Sequence, residues 1–199
     1  MEPIAVVFFG LSGSGKGTQA ELLEKYLHAR NAERGVVRPD MGNLARQFVS
    51  TGTPLAQKVN TVLASGGLMP SFMPIFLLTN DMNETFTGHE HVIFDGVARR
   101  PTQSHAIDDM MRFWDRSPDT LHAISLQLSE DSARARLKGR GRADDVREEV
   151  IASRFAWYKT DVVAAIDALR SRGWQVHDID AEPDPHTIHA NILAALKLV

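Results

Sequence analysis

A glycine-rich stretch directly follows the first apolar run of the chain. Residues 4–9 predict a buried strand, and residues 17–30 predict a helix. The sequence between them is Gly10-Leu11-Ser12-Gly13-Ser14-Gly15-Lys16-Gly17-Thr18. Glycines at a strand-to-helix junction leave backbone N–H groups free to surround phosphate oxygens, and the helix N-terminus adds positive potential. The sequence therefore predicts a phosphate-binding loop.

The loop departs at one position from the strict P-loop pattern, in which Ser or Thr directly follows the lysine. Here Gly17 follows Lys16, and the hydroxyl comes one residue later. We expect the Lys16 ammonium to reach the β- and γ-phosphates of a nucleoside triphosphate as a point charge. The residues expected to bind these phosphates are Gly13, Ser14, Gly15, Lys16, Gly17 and Thr18.

Beyond the loop, short apolar runs alternate with longer stretches of helical period, which is typical of a parallel α/β sheet. Further strands are predicted at residues 35–38, 91–94, 122–128 and 174–179. Helices are predicted at residues 17–30, 44–50, 55–64, 73–83, 102–114, 130–138, 147–171 and 186–198. The first, third and fifth strands are apolar nearly throughout, as strands buried on both faces should be. We expect a three-layer α/β P-loop fold with a five-stranded parallel sheet.

One long helical stretch interrupts this alternation. More than fifty residues separate the second and third predicted strands, which is too long for a simple crossover. We predict a helical insertion at about 42–87 that moves as a unit on a core formed by 1–41 and 88–199. A short, arginine-rich and glycine-broken segment at about 139–145 links two helices and is predicted to be a very short lid.

Composition narrows the class of protein. At 199 residues with 43% apolar residues, the chain is expected to form a single domain. Its 22 basic and 25 acidic residues give a formal charge of −3, which disfavours a nucleic-acid binder or a polybasic membrane-surface protein. No cysteine is present, which excludes disulfides, thiolate zinc sites and cysteine nucleophiles. The first ten residues predict neither a signal peptide nor a spanning helix, so we expect a soluble, cytoplasmic protein.

Several motifs occur in an order that resembles the adenylate kinase family of nucleoside monophosphate kinases. The Gly-x-x-Gly-x-Gly-Lys-Gly-Thr-Gln form of the loop is followed by motifs similar to those of the family. These motifs are Met41-Gly42-Asn43-Leu44-Ala45-Arg46, Ser65-Gly66-Gly67-Leu68-Met69-Pro70, Asp95-Gly96-Val97-Ala98-Arg99 with Gln103, Arg136 with Arg140, Arg142-Ala143-Asp144-Asp145, and Arg154 with Tyr158. The resemblance spans nearly the whole chain, and the ordered set is far more specific than the loop alone.

The resemblance implies a magnesium-dependent enzyme of nucleotide biosynthesis that moves the γ-phosphoryl group of ATP to a nucleoside monophosphate. In the family, Arg136 matches an arginine against the donor adenine, and Arg140 one on the donor phosphates. Arg46 and Arg99 match the pair that holds the acceptor's α-phosphate, while Arg142 and Arg154 match arginines between the acceptor and the transferred phosphate. The other acceptor-binding positions implied are Gly42, Gly67, Leu68, Met69, Gly96 and Gln103.

The same residues have a direct physical interpretation. Phosphoryl transfer between phosphates gathers negative charge, so fixed cations rather than a nucleophile are needed. The chain holds sixteen arginines and six lysines. Lys16, Arg99, Arg140, Arg142 and Arg154 are the expected catalytic residues. Asp95, at the end of an apolar strand, suits a carboxylate that holds magnesium through water.

The identity of the acceptor stays open at the level of sequence. Gln103 carries an amide that can both donate to and accept from an adenine edge, and in the family glutamine here favours AMP. Met41, Asn43 and Val97-Ala98 depart from the family pattern at neighbouring positions. The alternatives are a kinase for CMP, UMP or a deoxynucleoside monophosphate, and a catalytically weak nucleotide-sensing P-loop protein. By default we expect a monomer without a nucleic-acid or membrane partner.

Two further groups of residues have ordinary interpretations. The spacings His89-x-His91 and His186-x-x-His189 suit metal ligands, yet no other ligands accompany them in the sequence, and surface or turn histidines are the preferred interpretation. Trp157 and Trp174 are interpreted as core residues, as are Phe8, Phe9 and Phe94.

Overall fold

A computed structural model describes residues 2–140 and 147–199, apart from the side chain of Arg140. Its strands are β1 (Ala5–Gly10), β2 (Val36–Val37), β3 (His91–Asp95), β4 (Leu121–Gln127) and β5 (Gln175–Asp180). They form one sheet in the order β2-β3-β1-β4-β5, and every pair is parallel. The predicted fold class is therefore confirmed.

The helices follow the predicted stretches closely. They are α1 (Lys16–Arg30), α2 (Met41–Ser50), α3 (Pro54–Ala64), α4 (Phe72–Thr85), α5 (Pro101–Phe113), α6 (Glu130–Arg140), α7 (Glu148–Trp157), α8 (Val163–Ser171) and α9 (Pro185–Ala195). Local chemistry explains several starts. Asp40 accepts the N–H of Asn43 at 3.1 Å before α2, and Thr53 accepts that of Ala56 at 3.2 Å before α3.

One predicted helix differs. The stretch at 147–171 is interrupted by a π-helical turn at Tyr158–Val162 between α7 and α8. A π turn adds one residue to the helical repeat, and therefore changes which side chains share a face before and after it. Asp161, inside the turn, forms an ion pair with Arg100 at 3.2 Å. The turn is thus tied by this ion pair to the residue that precedes α5.

The alternation of β1 accounts for the three layers. Ala5, Val7 and Phe9 belong to the larger apolar cluster, which includes buried residues of α4, α5 and α8. Val6 and Phe8 point to the opposite face and pack with residues of α1 and α9. Because side chains alternate along a strand, an all-apolar β1 requires helices on both faces.

Helices α2, α3 and α4 occupy the interval between β2 and β3. A third, small cluster joins Leu11 of the loop after β1 to Ala133 and Leu137 of α6, and to Ile151 and Phe155 of α7. The glycine-rich loop is therefore packed against the two helices that flank residues 141–146. Within the described residues, no helix combines the length and apolarity needed to cross a bilayer.

Candidate active site

The glycine-rich loop joins β1 to α1 in a conformation that requires glycine. Gly10, Gly13 and Gly15 have φ angles of 148°, 91° and 91°, a region that L-residues rarely adopt. A β-carbon on Gly10 would lie 2.5 Å from the Ser14 hydroxyl, and one on Gly13 would lie 2.8 Å from the carbonyl oxygen of Ala133. A side chain at Gly13 would therefore push the loop off α6, whereas one at Gly10 would displace Ser14 within the loop.

Lys16 lies at the first position of α1 and folds back over the loop. Its Nζ donates to the carbonyl oxygens of Gly10 at 2.8 Å and Leu11 at 2.9 Å. The ammonium is therefore held at the carboxyl edge of the sheet, where ligands bind in open α/β folds. Ser14 is fully buried, and its Oγ has no hydrogen-bond partner among the described residues. A loop with an unused buried hydroxyl suits an acceptor-rich ligand such as phosphate.

Asp95 ends β3 beside the start of α1. Burial raises the pKa of Asp95, and the charge of Asp40 adds to this, whereas Lys16, Arg38 and Arg99 oppose it. A partly buried carboxyl group with three cations around it therefore lies next to the phosphate-binding loop.

The described residues contain no group of three or more His, Cys, Asp or Glu side chains that could hold a metal ion. Mg²⁺ in nucleotide sites keeps several waters and takes one or two protein carboxylates plus phosphate oxygens. Asp95 fits this donor set, and Thr18, an exposed residue in the first turn of α1, offers a hydroxyl.

Arg99 is fixed by its neighbours in the loop after β3. Its Nε donates to the carbonyl oxygen of Gly96 at 3.1 Å, and its guanidinium carbon lies 5.4 Å from the centre of the Trp157 ring. Burial lowers the pKa of Arg99, and the nearby charge of Arg154 lowers it further. The predicted residues Arg99 and Arg154 are therefore close enough to repel each other, an arrangement that favours a bound polyanion.

Gln103 is almost completely buried and supports the loop after β3 by hydrogen bonds to its backbone. Its Oε1 accepts the backbone N–H groups of Arg99 at 2.7 Å and Arg100 at 3.1 Å. The amide oxygen is thus engaged with the chain. In this conformation the amide nitrogen is the part of Gln103 that suits a base edge, so a role as donor is favoured over the predicted role as both donor and acceptor.

Two adjoining cavities meet at this loop, and Gly96 and Arg99 line both of them. The first, of about 220 Å³, is lined by Met41, Leu68, Met69, Pro74, Gly96, Val97, Arg99 and Gln103. The second, of about 320 Å³, is lined by Phe8, Phe9, Gly10, Ser12, Lys16, Gly96, Ala98, Arg99, Trp157 and Val162. Arg99 therefore stands between the phosphate-binding loop and a pocket formed largely by the residues predicted for the acceptor.

The other predicted acceptor residues lie on α2 and on the loop after α3. Arg46 is exposed, and one of its terminal nitrogens would lie 3.2 Å from a β-carbon placed on Gly42. Gly67 is half-buried, and its N–H donates to the carbonyl oxygen of Val62 at 3.0 Å. The structure brings Leu68 and Met69 into the first cavity, but it does not bring Arg46 or Gly42 there.

On the donor side, Arg136 donates to the carbonyl oxygen of Glu182 at 3.1 Å. The Glu182 carboxylate accepts the N–H of Ser129 at 2.9 Å and the hydroxyl of Ser132 at 2.7 Å. These bonds lower the pKa of Glu182 to about 2 and connect the loop after β5 to the start of α6. Arg142, Asp144, Asp145 and most of the predicted lid lie outside the described residues, as does the side chain of Arg140.

Sequence reasoning missed one residue that lines the cleft and one that links the elements around it. Trp157, interpreted as a core residue, is half-buried and lines the second cavity. Arg100 bridges the insertion and the core, because it donates to the carbonyl oxygen of Met69 at 3.2 Å and pairs with Asp161. The helical spacing between Arg154 and Trp157 is the signal that could have placed the indole in the cleft.

Comparison with known proteins identifies the relatives of this chain. The sequence profile of adenylate kinase matches residues 8–174. An adenylate kinase of Mycolicibacterium smegmatis is 32% identical over 191 residues, covering 96% of this chain and 98% of the relative. One of Mycobacterium sp. (strain MCS) is 33% identical over 193 residues, with the same coverage. One of Thermus thermophilus is 29% identical over 198 residues, covering 98% of this chain and 97% of the relative.

Proposed function

The chain belongs to the adenylate kinase family, and from this premise we propose how its cleft transfers the γ-phosphoryl group of ATP to AMP to give two ADP. Lys16 and the amides of residues 13–18 hold the donor phosphates. Arg99 holds the acceptor's α-phosphate in the adjoining pocket. Arg154, with Arg140 and Arg142, neutralises the charge that passes between them.

One observation carries this assignment. Lys16 and Arg99 line the same cavity of about 320 Å³ from opposite loops, and Arg99 also lines the neighbouring pocket. A donor on the P-loop and an acceptor in the neighbouring pocket would therefore meet between two cations. In-line transfer needs the two phosphates at such a point, because positioning and charge stabilisation supply most of the catalysis.

The reaction needs no protein nucleophile. An acceptor phosphate oxygen, already ionised at neutral pH, forms a bond to the γ-phosphorus, and the bond from that phosphorus to the β–γ bridging oxygen breaks. The electron pair stays on the β-phosphate of the departing ADP. The work left to the protein is to hold both phosphates and to balance the charge on the oxygens.

AMP is the proposed acceptor, as the name shared by the relatives also favours over a pyrimidine monophosphate. The first cavity offers apolar walls from Met41, Leu68 and Met69 and one buried amide from Gln103. A flat base fits apolar walls, and a few polar groups fix its orientation. Arg46 joins the acceptor phosphate when the insertion moves inwards.

Magnesium is proposed to travel with ATP. Asp95 would hold the ion through water, and Thr18 would supply a hydroxyl from α1. When bound, the ion neutralises charge on the β- and γ-phosphates. Lys16, Arg38 and Arg99 oppose the rise in the pKa of Asp95 that burial causes, and so favour the ionised carboxylate that the ion requires.

We further propose that residues 42–87 form an acceptor-binding unit that moves on the core, with residues 139–145 as a minimal lid. We also propose a monomer that works in the cytoplasm. Size-exclusion chromatography with light scattering checks the first point, and cell fractionation checks the second.

The decisive experiment is a coupled assay with ATP and magnesium against AMP, CMP, UMP and deoxynucleoside monophosphates. We expect AMP to give the highest kcat/KM, and Lys16→Ala and Arg99→Ala each to lower it by about 100-fold or more, as the loss of a charged contact to a transferring phosphate does. Lys25→Ala, which removes an exposed lysine paired with Glu21, is the matched control. Binding of ATP without turnover of any monophosphate would favour the sensing protein instead.

A further inference from the structure

The indole of Trp157 contacts two parts of the proposed acceptor site at once. Its Nε1–H donates to the carbonyl oxygen of Gly66 at 3.0 Å. Its ring covers the guanidinium of Arg99, whose central carbon lies 5.4 Å from the ring centre. Gly66 belongs to the loop between α3 and α4, whereas Arg99 belongs to the loop after β3. One side chain of α7 therefore joins the insertion to the acceptor arginine.

We propose that Trp157 is a positioning residue, which couples the seating of the insertion against α7 to the orientation of Arg99. This inference rests on the proposed function, in which Arg99 holds the acceptor's α-phosphate. It adds a residue that no motif of the sequence assigns to the reaction, and a route by which movement of the insertion reaches the acceptor site.

The loop between α3 and α4, by which the insertion is seated, packs closely against α7. Gly66 is buried with a φ of 76°, and a β-carbon there would lie 3.0 Å from both the carbonyl oxygen and Cγ1 of Val150. Arg147 donates to the carbonyl oxygen of Ala64. Ser153 Oγ lies 3.4 Å from the same Gly66 oxygen that Trp157 bonds. Successive turns of α7 thus meet one loop of the insertion, and the indole N–H is satisfied only while that loop is seated.

The face of the Trp157 ring stabilises its second partner, Arg99. A cation over an indole is stabilised by the ring's electron density, and Arg99 needs such compensation because it is half-buried and Arg154 lies nearby. The Nε–H of Arg99 is fixed by the Gly96 carbonyl oxygen at 3.1 Å. The carbonyl and the indole together set the position and tilt of the guanidinium.

The two contacts make the coupling reciprocal. When the insertion leaves α7, the indole loses its carbonyl acceptor and its fixed orientation, and Arg99 loses its support. Conversely, a phosphate that binds the oriented Arg99 favours the seated insertion by the same free energy, because linkage works in both directions. AMP binding and the seating of the insertion on α7 should therefore both depend on Trp157, whereas ATP binding on the P-loop should not.

Two variants separate the contacts. Trp157→Phe keeps an aromatic face but removes the N–H, and Trp157→Leu removes both. We expect Trp157→Phe to raise the KM for AMP by about 3- to 10-fold with little change in kcat, the size of one hydrogen bond. Trp157→Leu should raise it further and lower kcat by about 10-fold, since Arg99 then loses its stacking partner. The KM for ATP should stay within about two-fold in both variants.

Binding and spectroscopy supply readouts that do not depend on turnover. Calorimetry with AMP alone should show the same order of affinities as the KM values. In a protein labelled with ¹⁵N-tryptophan, the indole N–H signal that disappears in Trp157→Phe should shift when AMP is added. Trp114→Phe is the matched control, because Trp114 packs on Phe86 rather than on α7, and its kinetics should equal the wild type.

Failure of the proposed function can be distinguished from failure of the proposal for Trp157. If the wild type does not turn over AMP, or if Arg99→Lys leaves the KM for AMP unchanged, the proposed function falls and this inference with it. If both behave as expected but Trp157→Leu matches the wild type, only the inference is overturned. An equal rise in the KM values for ATP and AMP in Trp157→Leu, together with a lower free energy of unfolding, would also overturn it, because that is the effect of a general packing defect.

Discussion

Gly17 lies so close to Asp95 that a β-carbon at position 17 would stand 3.2 Å from Oδ2 of the carboxylate. This distance is shorter than almost all β-carbon contacts in folded proteins. Two observations that look separate in the sequence are thereby connected: the glycine after Lys16 and the acidic residue at the end of β3. Glycine at this position lets Asp95 approach the first turn of α1.

Gly17→Ala should therefore lower the activity while leaving the stability nearly unchanged. Alanine within a helix is favoured over glycine by about 0.5–1 kcal/mol, so the free energy of unfolding should stay within about 1 kcal/mol of the wild type. The carboxylate must shift by a few tenths of an ångström, and we expect kcat to fall by about 3- to 10-fold because small misplacements near the reacting phosphates are costly. Urea unfolding and steady-state kinetics check both points. An unchanged kcat would contradict the assigned role of Asp95.

Variants of Gln103 can distinguish its support of the loop after β3 from a contact with the adenine base of AMP. Gln103→Ala removes the acceptor of two backbone N–H groups and should lower the free energy of unfolding by about 2–4 kcal/mol. Gln103→Glu keeps an acceptor for both groups, so its loss of stability should be clearly smaller. If the amide nitrogen donates to adenine, Gln103→Glu should nonetheless lose preference for AMP over CMP.

The measurements for Gln103 are thermal or urea unfolding and the ratio of kcat/KM for the two monophosphates. A Glu variant as unstable as the Ala variant would argue against the hydrogen bonds described for Oε1. A Glu variant with full stability and unchanged selectivity would confine Gln103 to support of the loop.

The sheet could be predicted from sequence because its pattern is local. A run such as Val6-Val7-Phe8-Phe9 leaves no polar face, so the strand must be covered on both sides. The capping residues Asp40 and Thr53 likewise act within three residues. The π turn at Tyr158–Val162 was not predictable in this way, because apolar spacing over 25 residues does not record the insertion of one residue into a helix.

The candidate site was predictable where a contiguous motif determines the local conformation, as in the loop from Gly10 to Thr18. Trp157 was not, because an aromatic residue at helical spacing looks the same whether it enters the core or a cleft. Its partner Gly66 is 91 residues away in the sequence. The role of Gln103 was partly predictable. Pro101 at the first position of α5 and glutamine two residues later form a local signature of a helix start.

Two buried histidines predict how stability depends on pH. Burial, as the main cause, lowers the pKa of both His91 and His122 to about 4. Nδ1 of His91 accepts the N–H of Ile4 at 3.1 Å, so the folded ring is neutral. Between pH 6.5 and pH 4 the unfolded chain binds protons that the folded chain does not. The free energy of unfolding should therefore fall as the pH is lowered through this window, by at most about 1.4 kcal/mol per pH unit for each histidine.

His91→Asn isolates one of these contributions, because the asparagine oxygen can accept the Ile4 N–H without titrating. Its free energy of unfolding should decline less than that of the wild type between pH 7.5 and pH 5, by about 1–2 kcal/mol. Urea unfolding at several pH values checks this. His89→Asn, at an exposed position, should follow the wild-type curve. Parallel curves for His91→Asn and the wild type would mean that His91 does not titrate differently on unfolding.

The shortness of the predicted lid leads to an expectation about water. Only Gly141 separates Arg140 from Arg142, and so short a link should exclude water from the transferring phosphate less completely than a longer lid. We expect slow hydrolysis of ATP in the absence of AMP, in proportion to enzyme concentration and lost in Lys16→Ala. Phosphate release measured without acceptor checks this. Release no faster than that of Lys16→Ala would show that the cleft, including the wall formed by Trp157, keeps water out without a long lid.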